Sequence, residues 1–509
     1  MSAVDSGRLT WAFDDAPSAD PALLGGKGAG LVKMVALELP VPPGFILGTP
    51  CGRGYLADGA LPEALVAEID ERIAALEAGA GRTFGDDAAP LLLSVRSGAP
   101  VSMPGMMDTI LNVGLTAAGT AALEQSSGSA SFAESSFERL LHGFATTVRG
   151  ISAGVVEDAL LDLPSGSGAG DRCTALLALI EAEGGAAFPD ARGQLLESVE
   201  AVFRSWNSPR AKAYRRHKGI DDDMGTAVVV QRMVFGNRGE TSGSGVCFTR
   251  DPATGAPGAY GDILFDAQGE DVVAGERDTL PVAELTERMP EVAAGLDDVC
   301  TLLERDARDL CDIEFTIEEG TLWILQTRVG QRSGRAAVRL AVALVDEGLI
   351  TQEEALARVT DEQLEAARAP VFAEEPPEGD VLARGLACSP GAIVGVAALT
   401  CESAQRRSDA GEQVVLVRPT TAPADLPGVL AAAAVVTERG GRASHAAVVA
   451  RGLEKPAVCG TGPTGIAEGD TVSVDGDRGL VARGALPLAE AATDPLVKTF
   501  LEWHDADRG

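Results

Sequence analysis

Apolar residues recur every three and four positions in Ser131–Val148 and again in Gln194–Phe203, with the apolar run Thr174–Ile180 between them. That spacing predicts a helical insert over about residues 116–215. The chain before it reads differently. Glycine turns alternate with an apolar helix, Leu31–Leu37, a proline-bounded strand, Gly44–Leu47, and a buried strand over 91–95, LLLSV. After 225 strand patterns return in TAVVVQRMVF, GSGVCFT and GDILFDAQ. Residues 312–327 then read as a hairpin, DIEFTI and TLWILQT around the turn EEG. Helical sequence follows over 336–359, then an acidic, proline-rich run over 367–380 that reads as a linker. Short strands VVLV, AAVV, AVCG and TVSVDG mark a compact α/β unit over 381–485, and a partly helical tail starts at 486. The pattern predicts a multidomain α/β and α+β chain: a first domain over 1–335, a helical connector and linker over 336–380, the α/β unit over 381–485 and the tail over 486–509.

Length and composition agree with about three or four compact units. Aromatic residues are only 4%, so aliphatic side chains must fill the cores. The formal net charge of −33 leaves no basic face for nucleic acid and disfavours an anionic membrane. Small phosphate ligands are not excluded, because salt screens distant charge and local arginines decide. The eight cysteines form no CxxC pair and have irregular spacing, which fits a reducing cytoplasm better than a disulfide framework or a zinc site. The first residues lack a secretory pattern, and no apolar run is long enough to span a membrane.

The segment Thr437–Gly452, TERGGRASHAAVVARG, concentrates chemistry around one of only four histidines. Gly440 and Gly441 suit a tight turn with positive φ, Ser444 a helix N-cap, and Gly452 a stop. His445 then falls in the first turn, where the helix dipole keeps the ring neutral and nucleophilic and welcomes an anion attached to it. Arg439, Arg442 and Arg451 supply cations nearby. A packed or surface histidine would use the same residues without any of this chemistry.

Three segments of the first domain fit a bound polyphosphate. GGKGAG at 25–30 lets backbone approach phosphate with Lys27 to neutralise it, although it lacks the Walker spacing and reads equally as a glycine-rich start of a helix. LLLSVRSGAPVSMPGMMDT delivers Arg96 at a strand end, followed by a loop over 102–109 with Pro104 and Gly105 among methionines, suited to closing over a nucleotide. A structural ion pair for Arg96 and core packing for the methionines remain open. Asp312 and Glu314 share one strand face, with Gln326 and Arg328 on the returning strand. Carboxylates so placed suit magnesium shared with phosphates, or an ordinary exposed acidic face.

Together these motifs resemble pyruvate, phosphate dikinase. GG-x-x-S-H-A-A-V-V-A-R-G matches its phosphohistidine motif, with Ala443 where the family has threonine. SVRSGAPVSMPGMMDT, QRMVFGNRGETSGSGVCFTRDPATG and DAQGEDVVAGERDT match its nucleotide domain over nearly all of residues 20–335. The resemblance implies an ATP-grasp domain with the helical insert, followed by a swivelling α/β phosphohistidine domain moved by the 336–380 linker. It implies His445 as the phosphoryl carrier and Lys27, Arg96, Asp312, Glu314 and Gln326 as ATP and magnesium residues, with Gly105 on the loop, Gln231 and Met233 at the adenine edge, and Arg328 beside them. Glu314, Gln326 and Asp312 are the implied metal ligands. The implied reaction takes ATP, Mg2+ and orthophosphate, releases AMP and pyrophosphate, and keeps one phosphoryl group for pyruvate. The family's pyruvate-binding barrel needs roughly 250 residues, which do not fit after 485. A separate barrel protein is therefore the expected partner, and a homodimer stays open. A stand-alone phosphotransferase with another acceptor, and a nucleotide-binding remnant without turnover, are the competing readings.

Overall fold

The computed structural model describes residues 8–508 except 102, 104–108, 165, 275–276, 278, 370, 443 and 490–493. The expected Gly105 therefore lies outside the described residues. Contacts divide the chain into two units: 1–234 with 323–326, and 235–322 with 327–509.

The first unit is built on a five-stranded antiparallel sheet. Its strand order is Thr10–Ala12, Gly44–Leu47, Ala227–Arg232, Leu93–Gly98, Thr109–Val113. The central strand Ala227–Arg232 is buried on both faces over Ala227–Gln231, as its unbroken run of valines requires. The expected insert is helical from Ala117 to Lys218 in six α-helices and one π-turn, closed around Phe137, Leu140, Phe144, Val199 and Phe203. One expectation is corrected. GGKGAG does not precede a helix but lies inside the helix Pro21–Ala36, which starts at the Asp20 cap and bends at Gly25 with φ 69°. Gly25 tolerates that left-handed angle, so the helix resumes beyond it.

The second unit holds, among the described residues, a two-stranded sheet of Val371–Phe372 with Leu488–Ala489 and two larger ones. In the first of the larger sheets, Leu280–Pro281, Pro257–Phe265, Gly243–Arg250 and Cys311–Glu318 are antiparallel neighbours in that order, and a hairpin leads on to Thr321–Val329. The other has eight strands in the order Val381–Arg384, Leu480–Arg483, Thr471–Asp475, Ala392–Ala398, Val414–Arg418, Ala434–Thr437, Ala457–Cys459, Leu386–Ser389. Its central four-strand run, Ala392–Ala398 to Ala457–Cys459, is parallel. Val415, Val417, Val436 and Val458 fill one face, while Leu416, Val435, Cys388 and Cys459 meet the helix His445–Gly452 on the other. Burial on both faces is what a parallel sheet covered by helices demands.

The expected connector over 336–380 is helical over most of 336–367. Helices Gly334–Asp346, Gln352–Arg358 and Asp361–Ala367 form one core with the tail helix Pro495–Arg508, through Val338, Leu340, Leu364 and Phe500, and with Phe248 of the first sheet and Leu310 just before its strand Cys311–Glu318. The apolar stripe that makes 334–346 a helix is buried in this core. All eight cysteines are free thiols. Among the described residues no helix is long and apolar enough to cross a membrane.

Candidate functional site

His445 is the first residue of the helix His445–Gly452, and Ser444 caps that helix by accepting the Ala447 amide. Ala446, Ala447 and Ala450 turn inward and leave the imidazole half-buried on the outer side. Burial lowers the His445 pKa below its ordinary value of 6.5, and the nearby Asp425 carboxylate only partly opposes this. The ring is therefore neutral at physiological pH. Its Nδ1 lies 3.3 Å from Thr421 Oγ1. With the proton on Nδ1, the ring donates to that hydroxyl and keeps the lone pair on Nε2 for attack.

Thr421 and Asp425 were not singled out from the sequence. They follow the strand Val414–Arg418, which runs parallel to Ala434–Thr437, the strand leading to His445. The C-terminal ends of adjacent parallel strands are where α/β sheets collect ligands, and that topology is the signal that could have found them. Asp425 accepts the Ala422 amide at 2.9 Å and the Cys401 thiol at 3.2 Å, with Arg418 Nη2 at 3.5 Å. Burial alone would raise its pKa, but these partners together with His445 hold it below the usual carboxylate value.

The three expected cations differ in what they do. Arg451 is fully buried and donates to the carbonyls of Cys388 at 2.9 Å and Arg442 at 3.1 Å, so it braces the loop and does not present a cation to an anion on His445. Arg442 lies over the Tyr260 ring at 5.2 Å and reaches Asp262 Oδ1 at 3.6 Å. For Arg439 the loop is fixed through its backbone amide, which donates to Pro419 O. The two glycines also act differently. Gly440 has φ 115°, as expected, but Gly441 shows no such angle. Gly441 is needed for closeness: a Cβ there would meet Asp262 Oδ2 at 2.2 Å and Thr279 Oγ1 at 2.4 Å. Residue 443 lies outside the described residues.

The surface that receives this loop carries the candidate metal residues. Asp312 pairs with Phe248, Glu314 with Val246 and Thr316 with Ser244, while Val246 pairs with Asp262 and Phe248 with Tyr260. Directly paired residues of antiparallel strands share a face. Asp312, Glu314, Asp262 and Tyr260 thus line one side of one sheet, and the Gly441–Arg442 loop lies on that side. Asp312 is buried and accepts Arg328 Nε at 2.8 Å through Oδ2, while its Oδ1 has no hydrogen-bond partner among the described residues. Burial pushes its pKa up against the pull of Arg328. A buried carboxylate oxygen without a partner, two residues from a half-buried glutamate, fits a hard cation that takes oxygen ligands.

In the first unit Gly25 and Gly26 press the bend of the helix Pro21–Ala36 onto the end of the strand Leu93–Gly98. A Cβ on Gly25 would lie 1.7 Å from Gly98 O, and the Gly26 amide donates to Ala99 O at 2.9 Å. Lys27 and the half-buried Arg96 are brought to neighbouring backbone in this way. Gln231 is buried, with its side-chain amide donating to Pro42 O at 2.9 Å, and Met233 is buried two residues on. Gln326 groups with the first unit, and Asp312, Glu314, Arg328 and His445 with the second.

Residues 53–291 match the family described as pyruvate phosphate dikinase, AMP/ATP-binding domain, and residues 410–479 match the PEP-utilising enzyme, mobile domain. Similar curated proteins include pyruvate, phosphate dikinase of Rhizobium meliloti, 41% identical over 95% of this chain and 58% of its own length. The Clostridium symbiosum protein of that name is 40% identical over 98% of this chain and 61% of its own. Pyruvate, phosphate dikinase 1, chloroplastic, of Arabidopsis thaliana is 42% identical over 96% of this chain and 53% of its own. The chain spans about three fifths of the length of the first two of these relatives.

Proposed function

Because this chain belongs to the pyruvate, phosphate dikinase family, we propose that it uses ATP and orthophosphate to phosphorylate His445, releasing AMP and pyrophosphate. One observation carries this reading: a neutral, half-buried histidine at a helix start whose own loop lies on the sheet face bearing Asp312 and Glu314. Nε2 attacks the β-phosphorus in line and AMP leaves. Orthophosphate then takes the outer phosphoryl group, and one phosphoryl group stays on the ring. Splitting the transfer this way replaces one difficult step with smaller reversible ones.

Asp312 and Glu314 are the residues that would hold Mg2+, which supplies charge neutralisation at the phosphates when bound. Lys27 and Arg96 bind and orient the polyphosphate as fixed cations. Thr421 keeps the ring turned with Nε2 free. The phosphoryl group then passes to pyruvate, which a separate partner would present.

The test follows products from β-labelled ATP with magnesium, with and without orthophosphate. Phosphate-dependent pyrophosphate, together with AMP, is expected. AMP formed without any need for phosphate would point to a different acceptor, and no turnover would favour a binding module.

A further inference from the structure

Arg215 is wholly buried in the helical insert, and the proposed reaction gives it no part. Its guanidinium lies over the Trp206 indole, with Cζ 4.1 Å from the ring centroid. Its Nε donates to Asp222 Oδ1 at 2.7 Å, and its Nη1 donates to Trp206 O. The indole Nε1 in turn donates to Asp222 O at 2.9 Å. The ring is thus held on one face by a cation and at its edge by a carbonyl. Such fixing exceeds what packing demands, since apolar side chains often replace a buried ion pair without loss of stability.

The neighbours of the ring supply a reason. Ala99 and Met103 share one buried cluster with Trp206 and Ala211. Ala99 comes three residues after Arg96, and its carbonyl accepts the Gly26 amide at 2.9 Å. A Cβ on Gly98 would lie 3.7 Å from the Lys27 Cβ. One backbone junction therefore sets where Lys27 and Arg96 stand relative to each other, and the Trp206 cluster anchors that junction. The adenine edge is elsewhere. Gly98 pairs with Ala227 at the start of its strand, whereas Gln231 pairs with Ser94 toward the other end.

Resting on the reading above that Lys27 and Arg96 bind the polyphosphate, we propose that Arg215 and Trp206 are positioning residues for ATP. Their stack fixes the Ala99 junction so that both cations meet the polyphosphate together. Groups placed before the ligand arrives lose little freedom on binding it, and they hold the phosphorus in line for attack. The stack touches neither the nucleotide nor the adenine edge. Its effect therefore falls on the phosphates and leaves recognition of the base alone.

The experiment measures equilibrium binding of a non-hydrolysable ATP analogue with magnesium, and separately of adenosine, to the full chain below the denaturation midpoint of each variant. In Arg215→Met the analogue is expected to bind about tenfold more weakly, the share of one hydrogen bond to a charged group, with adenosine affinity unchanged. A merely structural role would weaken both ligands or neither. Lysine has the bulk of methionine and adds a cation, so Arg215→Lys should recover part of the lost affinity. If Arg215→Met loses its folded spectrum, Trp206→Phe keeps an aromatic face without the Nε1 donor and is read in the same way. Equal loss for both ligands, no loss for the analogue, or no recovery with lysine would overturn the inference. An unmodified protein that binds the analogue no better than adenosine would overturn the polyphosphate reading itself, and this inference with it.

Discussion

Gly441 lies so close to Asp262 that a methyl group on its Cα would come within 2.2 Å of the Asp262 Oδ2 atom. The loop carrying His445 can rest on the Asp312–Glu314 face only because residue 441 has no side chain. Gly441→Ala should push the loop off that face. Overpacking of this kind costs about 1–3 kcal/mol, so ATP-dependent labelling of His445 should slow by about 5- to 150-fold while the far-ultraviolet spectrum is unchanged. Quench-flow labelling measures this, and an alanine variant that labels at the original rate would show the contact to be irrelevant.

Arg451 should prove a structural residue. Its guanidinium is buried against Phe248 and satisfies two carbonyls, those of Cys388 and Arg442. Arg451→Met keeps much of the volume but leaves both acceptors without their donor. A loss of about 2–4 kcal/mol is expected, read as a lowered denaturation midpoint. A variant of full stability that fails only in phosphoryl binding would return Arg451 to the role its sequence suggested.

The helix bend at Gly25 should be equally intolerant. Alanine there meets Gly98 O at 1.7 Å and would have to adopt φ 69°. Gly25→Ala is expected to cost about 3 kcal/mol or more through strain and displaced backbone, and to weaken ATP binding by at least tenfold. Equilibrium binding of a non-hydrolysable ATP analogue checks it, and unchanged affinity would separate the GGKG bend from the nucleotide.

Burial lowers the folded-state pKa of His445 below 6.5, and the sign of the resulting pH effect follows. As pH falls below 6.5 the unfolded chain takes up this proton before the folded one, so the folded state loses stability there. His445→Gln should therefore flatten the stability–pH slope below 6.5, and labelling in the native protein should persist to pH values where an exposed histidine is already protonated. Denaturation midpoints across pH 5–8 test the first part, and an unchanged slope would contradict it.

Much of this was legible in the chain and some was not, for identifiable reasons. The Ser444 cap, the helix after it and the strand Gly44–Leu47 follow from local spacing, and they formed as read. Thr421 lies 24 residues from His445. Only the parallel pairing of two strands brings it to the ring, and hydropathy does not encode that pairing. Arg451 reads as a cation in any motif, because burial of a guanidinium depends on which carbonyls the fold puts around it. Gly441 resembled Gly440 in sequence, yet one is required for its backbone angle and the other for its neighbour. The packing of the 336–367 stretch was not legible because its partners, Phe248 and Phe500, lie far away in the sequence.

The most direct measurement is the site of label after brief reaction with β-labelled ATP, magnesium and orthophosphate, read by mass spectrometry under alkaline conditions. One acid-labile phosphoryl group on His445, absent from a folded His445→Ala protein, is the predicted result. Label that persists in that variant, or that resides on any other residue, would contradict the account.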